Sequence, residues 1–580
     1  LLPPDEAAGS FEIIIVLTAG LPLLYFFKGD PTPEKAGLVR KNKTPPRAGK
    51  QPNDANRFLN LVEASVQNKS YKEALEQLDR AGKADLISSS SPELYRYHYL
   101  RGMALFWLGD HRTAWNEVQE ALRAFKRIHR PIVLPESTEL PAFVARNLNQ
   151  LRNMELALLE ALEGPGLDEN SHKKQELERR ISEISASLEY LAPLAKLHQL
   201  AGSVLRHLGK LSESVNHLEW AATGFRLSRD WGSLAETLNR MALIHIAQGE
   251  LGQAIQILEQ ARTCSLKAKN QYFEMILRSN VALCQLLTGN WKLPLASLPD
   301  VLAETKKEGD FPRYATTLLL WGSANLLSGR LKESRKTFLS ALQICVEKNL
   351  VGVSKYGHGY LADLCMAEGR LEEAEEHLKT VVEISQQVSP HGENMAELWV
   401  KFGELYLARG EFRQALNAYR TGQDYLSQRP EKLVEGELRR GMGICHLKLE
   451  QFRPAQKDFK NAFEIFESCG NEWELAKTAV LAAENGAFAA AEIYPKLVWA
   501  KEIFKKLEYS TWRKRVQLLL EHGEEKPSNV PFRVAHRLAE KEEIAKALAE
   551  TNGNISQAAK KLGLLRQSLQ YKIKQYKIDA

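Results

Sequence analysis

Gly209-Lys-Leu, Gly249-Glu-Leu, Gly289-Asn-Trp, Gly329-Arg-Leu, Gly369-Arg-Leu and Gly410-Glu-Phe recur along the chain at a spacing of 40 residues, once 41. Glu450-Gln-Phe continues the series in degenerate form, and Lys69-Ser-Tyr and Gly109-Asp-His precede it. A recurring turn at fixed period means a repeat array, and it has to be sought before any single element is assigned. The flanking columns agree. Seven residues before the turn stand Gly102, Gly202, Ala242, Ala282, Gly322, Ala362, Gly403 and Gly443. Five after it stand Ala74, Ala114, Ser214, Ala254, Pro294, Ser334, Ala374, Ala415 and Ala455, and twelve after it a third small column runs from Ala81 to Ala462. Two antiparallel helices joined by a short turn approach closely only where side chains are small. Bulky neighbours such as Leu205, Leu218, Leu258 and Phe338 then fill the space between hairpins. Pro294 breaks its column, so the unit at 278–306 is expected to be less regular.

These columns resemble the tetratricopeptide repeat, in a form of about 40 residues rather than the usual 34. The resemblance covers roughly 55–130 and 190–510. It implies an all-α solenoid of helical hairpins whose concave face holds a protein or peptide. Residues 131–190 do not fit the period and are read as an irregular hairpin inserted in an array that spans 55–523. After 486 the pattern decays, and Tyr494 to Leu507 and Thr511 to His522 are expected to cap the open end. Trp107, Trp115, Trp220, Trp231, Trp291, Trp321 and Trp399 sit beside apolar residues at helical spacing and are read as core.

Glu524 to Pro531 is polar, carries two prolines and reads as a linker. A helical pattern follows, with Val534, Leu538, Ile544 and Leu548 as apolar anchors, and ends at Thr551-Asn-Gly-Asn554. Gly553 suits a left-handed C-cap position, and Asn554 can cap the next helix. Ile555 to Leu562 is a short helix with Ala558 and Ala559 where a second helix must cross. Gly563 turns the chain, and Leu564 to Tyr576 forms a third helix with Leu565, Leu569, Ile573 and Tyr576 on a buried stripe. From Gly553 to Ile578 stand Lys560, Lys561, Arg566, Lys572, Lys574 and Lys577 and no acidic residue. The whole chain has a net charge of +6, so this segment carries all of it, as a polyanion-binding end would.

The order Gly553-Asn-Ile-Ser-Gln-Ala-Ala-Lys-Lys-Leu-Gly563, then Arg566-Gln-Ser-Leu-Gln-Tyr-Lys-Ile-Lys574, resembles the Fis-type helix-turn-helix that closes many bacterial activators working with the alternative sigma factor. The small helix-turn-helix domain is placed at 532–580. The resemblance implies double-stranded DNA as partner, with Arg566 reaching a base edge, guanine by bidentate geometry. Ser568 and Gln570 would contact the site from the same helix. Asn554, Ser556, Lys572 and Lys574 would bind phosphates and fix register. Gln557, Gln567 and Tyr571 complete the candidate DNA-binding set. The residue before Arg566 is often Ser or Asn in this family; here it is Leu565, which removes that cap. Such modules act as dimers, and the helix from about Arg533 to Glu550 is the candidate homodimer element.

No GxxxxGK[ST], HExxH or GxSxG motif occurs, so neither an enzyme nor a cofactor is expected. Six cysteines are spread without a CxxC pair and read as reduced core thiols of a cytoplasmic protein, with no metal site following from their spacing. Ile13 to Phe27 is apolar but short for a membrane span, and a membrane partner is not expected. Within residues 1–29, Leu17-Thr-Ala-Gly-Leu-Pro-Leu-Leu24 resembles the end of the ATPase module of STAND-type signalling proteins. That implies an ATPase or kinase upstream of residue 1, joined through a linker at 30–54. The expected function is a sequence-specific transcription regulator whose array binds a protein or effector. The alternative is a tetratricopeptide adaptor without specific DNA binding.

Overall fold

The computed structural model describes residues 52–83, 87–88, 91–128, 191–388, 395–426 and 431–524, then 544–551, 553–562, 566, 569–570, 572–573 and 578. Among these residues every regular element is helical. The segments 1–29 and 30–51, the insertion at 131–190 and the linker at 525–531 lie outside them.

Most helices of the array are 17 residues long, for example Leu191–His207, Leu211–Leu227, Leu331–Glu347 and Val351–Ala367. A three-residue turn follows each. Gly109, Gly209, Gly249, Gly289, Gly329, Gly369 and Gly410 all have positive φ, and Glu450 takes the same conformation at φ 63°. The N–H of Gly209 donates to the carbonyl of Arg206 and that of Lys210 to Leu205, so the turn satisfies carbonyls that the helix end leaves open. The turn between hairpins has the same geometry. Arg229, Lys269, Gly309, Asn349 and Gly470 stand there with φ between 53° and 72°. The true beat is thus 20 residues, and three of these five turns between hairpins carry a residue other than glycine.

Small columns and large ones interlock. A Cβ on Gly202 would meet Leu218 at 2.5 Å, on Gly322 Phe338 at 2.4 Å, on Gly403 Tyr419 at 2.4 Å and on Gly443 Phe459 at 2.8 Å. The glycine seven before the turn is therefore the floor on which the large residue nine after it rests. Where the column five after the turn is serine, its hydroxyl donates back to that glycine's carbonyl: Ser214 to Gly202 at 2.5 Å and Ser334 to Gly322 at 2.9 Å. Pro294 does not disturb its unit. The helix Lys292–Glu308 starts two residues earlier, so Pro294 occupies a first-turn position whose N–H would have no intrahelical partner. The irregularity of this unit lies instead at Pro299, inside the same helix, whose ring removes one backbone hydrogen bond.

The described chain packs as two compact units. One contains the residues up to Ile244 together with Ile257–Glu274. In it the hairpin Leu94–Trp107 and His111–Ile128 stacks directly on Leu191–His207, with Leu105, Phe106 and Val118 buried against Leu200, Ala201 and Val204. Stacking therefore continues across the sequence positions where the period lapses. Trp220 is buried here and stacked on His198 at 4.3 Å.

The other unit contains His245–Gln256 and the residues from Met275 onward. Its terminal helices Glu472–Glu484, Ala490–Lys506 and Ser510–Glu524 share a core built on Trp473, Phe504, Tyr509 and Trp512. These helices do not simply cover an open end. The Tyr509 hydroxyl donates to the Gly289 carbonyl at 2.9 Å and Asn471 Nδ2 to the Leu287 carbonyl at 3.1 Å. Lys292 pairs with Glu508, and the Trp473 ring lies on Gly289. Residues about 200 apart in sequence are joined by these contacts.

Candidate nucleic-acid interface

Three helical pieces surround a small core near the C-terminus. Ile544, Ala547 and Leu548 from the helical stretch 544–550 meet Ala558 and Ala559 from Ile555–Lys561, and Leu569 and Ile573 from the third piece. Ala558 is 0% and Ala559 2% exposed, as close crossing of helices requires. The connection is made by local hydrogen bonds. Gly553 has φ 75° and its N–H donates to the Leu548 carbonyl at 2.8 Å. Asn554 Oδ1 then accepts from the N–H groups of Ser556 at 3.1 Å and Gln557 at 3.2 Å, capping the second helix. Its carbonyl is used in the fold, so the amide Nδ2 is the part of Asn554 left for a phosphate.

Asn554, Ser556 and Gln557 are exposed together at the start of the second helix, and Arg566 is exposed in the third helical piece. Arg566 stands three and seven residues before the buried Leu569 and Ile573. Gln570 and Lys572 are half-buried at the edges of that buried stripe. Lys561 pairs with Glu550 at 2.7 Å, and this contact holds the Glu550 carboxyl below its ordinary range. One of the six cations thus ties the first two helices together. Gln567, Ser568, Tyr571 and Lys574 lie outside the described residues, as do Gly563, Leu565, Tyr576 and the first part of the candidate dimer helix, 533–543.

A second group of polar residues was not singled out from the sequence. Where the first helices of successive hairpins meet, Lys401 Nζ bonds both carboxylate oxygens of Asp363, at 2.6 and 2.7 Å. Further along, Arg440 bonds Glu474 at 2.5 Å and Thr478 at 3.3 Å, and Lys477 bonds Glu474 at 3.1 Å. Burial drives the Glu437 carboxyl well above the carboxylate range. Glu437 Oε2 and one Arg440 Nη have no hydrogen-bond partner among the described residues. Buried, incompletely paired charge is expensive in a structural wall. In the sequence these residues look like ordinary charged helix positions, because only stacking brings them together from four successive hairpins.

Comparison with known proteins places both modules. Residues 536–576 match the family model of bacterial regulatory proteins of the Fis family, and residues 356–428 match that of the tetratricopeptide repeat. The chain therefore contains a tetratricopeptide-repeat region and a C-terminal Fis-family helix-turn-helix. The first module type is one of protein interaction, the second one of DNA binding. A search of curated proteins found no match. Among solved structures, a Rap protein complexed with competence and sporulation factor is 14% identical with a TM-score of 0.41, covering 66% of this chain and 98% of its own. Aspartyl phosphate phosphatase F from Bacillus subtilis is 15% identical with a TM-score of 0.40, covering 65% and 94%. The anaphase-promoting-complex hetero-tetramer Cut9–Hcn1 is 11% identical with a TM-score of 0.35, covering 82% and 85%. Each is a likeness of helical fold alone. No helix among the described residues is long and apolar enough to cross a membrane.

Proposed function

We propose that the chain is a sequence-specific, DNA-binding transcription regulator of the bacterial cytoplasm, with no catalytic activity of its own. Its array binds a protein or peptide, and its helix-turn-helix binds DNA as a homodimer. One observation carries the reading. The tight Gly553–Asn554 turn joins the first two helical pieces, and the paired alanines of the second share a core with Leu569 and Ile573 of the third, with Asn554, Ser556, Gln557 and Arg566 exposed. That is the layout in which a recognition helix enters a major groove while its neighbour meets the backbone.

The test is selection of bound sequences from a random DNA pool by the full chain, followed by titration at several salt concentrations. Binding should weaken steeply with salt and prefer one sequence class. Arg566→Ala should lose about 1–3 kcal/mol of discrimination while non-specific binding persists. Equal affinity for every sequence would reject this reading in favour of the adaptor.

A further inference from the structure

We propose that Cys365, Glu373 and His377 form a site for one divalent transition-metal ion of the zinc class, with His358 holding His377 in place. Cys365 lies in the last turn of the helix Val351–Ala367, and Glu373 and His377 stand four apart on Leu371–Val388. The Gly369 turn folds the two helices together, and one donor atom from each residue lies within 4.8 Å of the other two. Sulfur and nitrogen donors around a tetrahedral zinc are roughly 3.3–3.8 Å apart. Side-chain movement of about 1 Å therefore brings the three donors to that spacing, and a water completes the tetrahedron. A thiolate and an imidazole favour zinc-class ions over magnesium or calcium.

His358 Nδ1 is 3.0 Å from His377 Nδ1. One proton at most fits between them, so a His377 that donates to His358 has its other ring nitrogen free to ligate. Ligating histidines are usually oriented by such a partner. Arg335 reaches the site from the preceding hairpin, with Nη2 3.5 Å from Cys365 Sγ and Nη1 3.2 Å from Glu373. Its charge opposes a cation but favours the thiolate, and Glu368, bonded to both Arg335 and Arg370, offsets it. On loading, the Cys365 proton leaves to solvent. Glu373 turns one oxygen from Arg335 to the metal and keeps the other on Arg370, now at 2.6 Å. Thiolate and carboxylate together neutralise the ion.

The array contains its own comparison. His198 and His217, 160 residues earlier, face each other with the same 3.0 Å separation. The positions equivalent to Cys365 and Glu373 there are Leu205 and Glu213, so the sulfur is missing. The histidine pair belongs to the repeat; the thiol beside it belongs to this hairpin alone of the two.

The test is titration of the chelator-treated full chain with Co2+. One equivalent should bind with thiolate-to-cobalt charge-transfer absorption and be displaced by Zn2+. Cys365→Ser should abolish that band. Glu373→Gln and His377→Ala should weaken binding at least about tenfold, and His358→Ala by about 10- to 100-fold. Cys345→Ser and His217→Ala should leave the titration unchanged. Circular dichroism identifies any variant that fails to fold, and Glu373, which is only half-buried, gives the substitution least disruptive to packing. Absence of stoichiometric uptake by the folded wild-type chain overturns the proposal. So does a band that persists in Cys365→Ser, or unchanged affinity in Glu373→Gln.

Discussion

His198 and His217 show how one pair of side chains can make a repeat array sensitive to acid. Burial, with each other's proximity and Lys126 as lesser causes, pushes His198 down to about 3, and burial also lowers His217 despite Glu213 nearby. In the unfolded chain both imidazoles titrate near their ordinary value of about 6.5. Below that pH the unfolded chain takes up protons that the folded chain refuses. The stability from this pair is therefore full above about pH 6.5 and is lost as pH falls toward 3. The melting temperature should drop between pH 7 and 5, and His198→Gln should make the drop shallower. An identical pH dependence in the variant would show that the pair does not titrate with folding. Neither histidine announced this role in the sequence. A histidine on an apolar helix face is usually a satisfied core residue, and only the hairpin decides that its partner is a second histidine.

At the level of the element, the informative feature is the pair of turns that bounds every helix. The turn inside each hairpin was legible because glycine marks it. The turn between hairpins was not, because Arg229, Lys269 and Asn349 adopt the left-handed conformation that the helix end imposes. A side chain there costs roughly 1–2 kcal/mol that glycine avoids, partly offset by glycine's greater freedom in the unfolded chain. Lys269→Gly should accordingly stabilise the fold by about 0.5–1 kcal/mol, measured by urea denaturation. A loss of stability would mean that the Lys269 side chain makes a contact worth more than the strain. The same reasoning explains the helix-turn-helix. Thr551-Asn-Gly-Asn554 could be read correctly because both its devices, a left-handed glycine and a capping asparagine, are local.

On the scale of the whole molecule, contacts between distant hairpins matter most. Gly289 and Gly329 occupy the same place in the repeat and have nearly the same φ, 75° and 81°. A Cβ on Gly329 meets nothing within 4 Å, whereas on Gly289 it would strike the Trp473 ring at 2.6 Å. Gly329→Ala should therefore cost only the left-handed strain, about 1 kcal/mol. Gly289→Ala should cost about 3 kcal/mol, because it also forces the terminal helices away. Hydrogen exchange should show the second variant loosening Glu472–Glu484 and Ser510–Glu524. Equal costs would mean that the contact of the terminal helices with this turn contributes little.

The sequence by itself determined the repeat, its hairpins, the small and large columns and the helix-turn-helix. All of these rest on residues within one or two turns of each other, where backbone conformation and side-chain size act directly. Stacking across the 131–190 lapse, the Gly289–Trp473–Tyr509 contact and the Asp363–Lys401 and Arg440–Glu474 pairs were decided by tertiary structure alone. Each depends on how successive hairpins rotate and stack. That rotation sums many small packing terms over the array, and no single stretch of sequence encodes it.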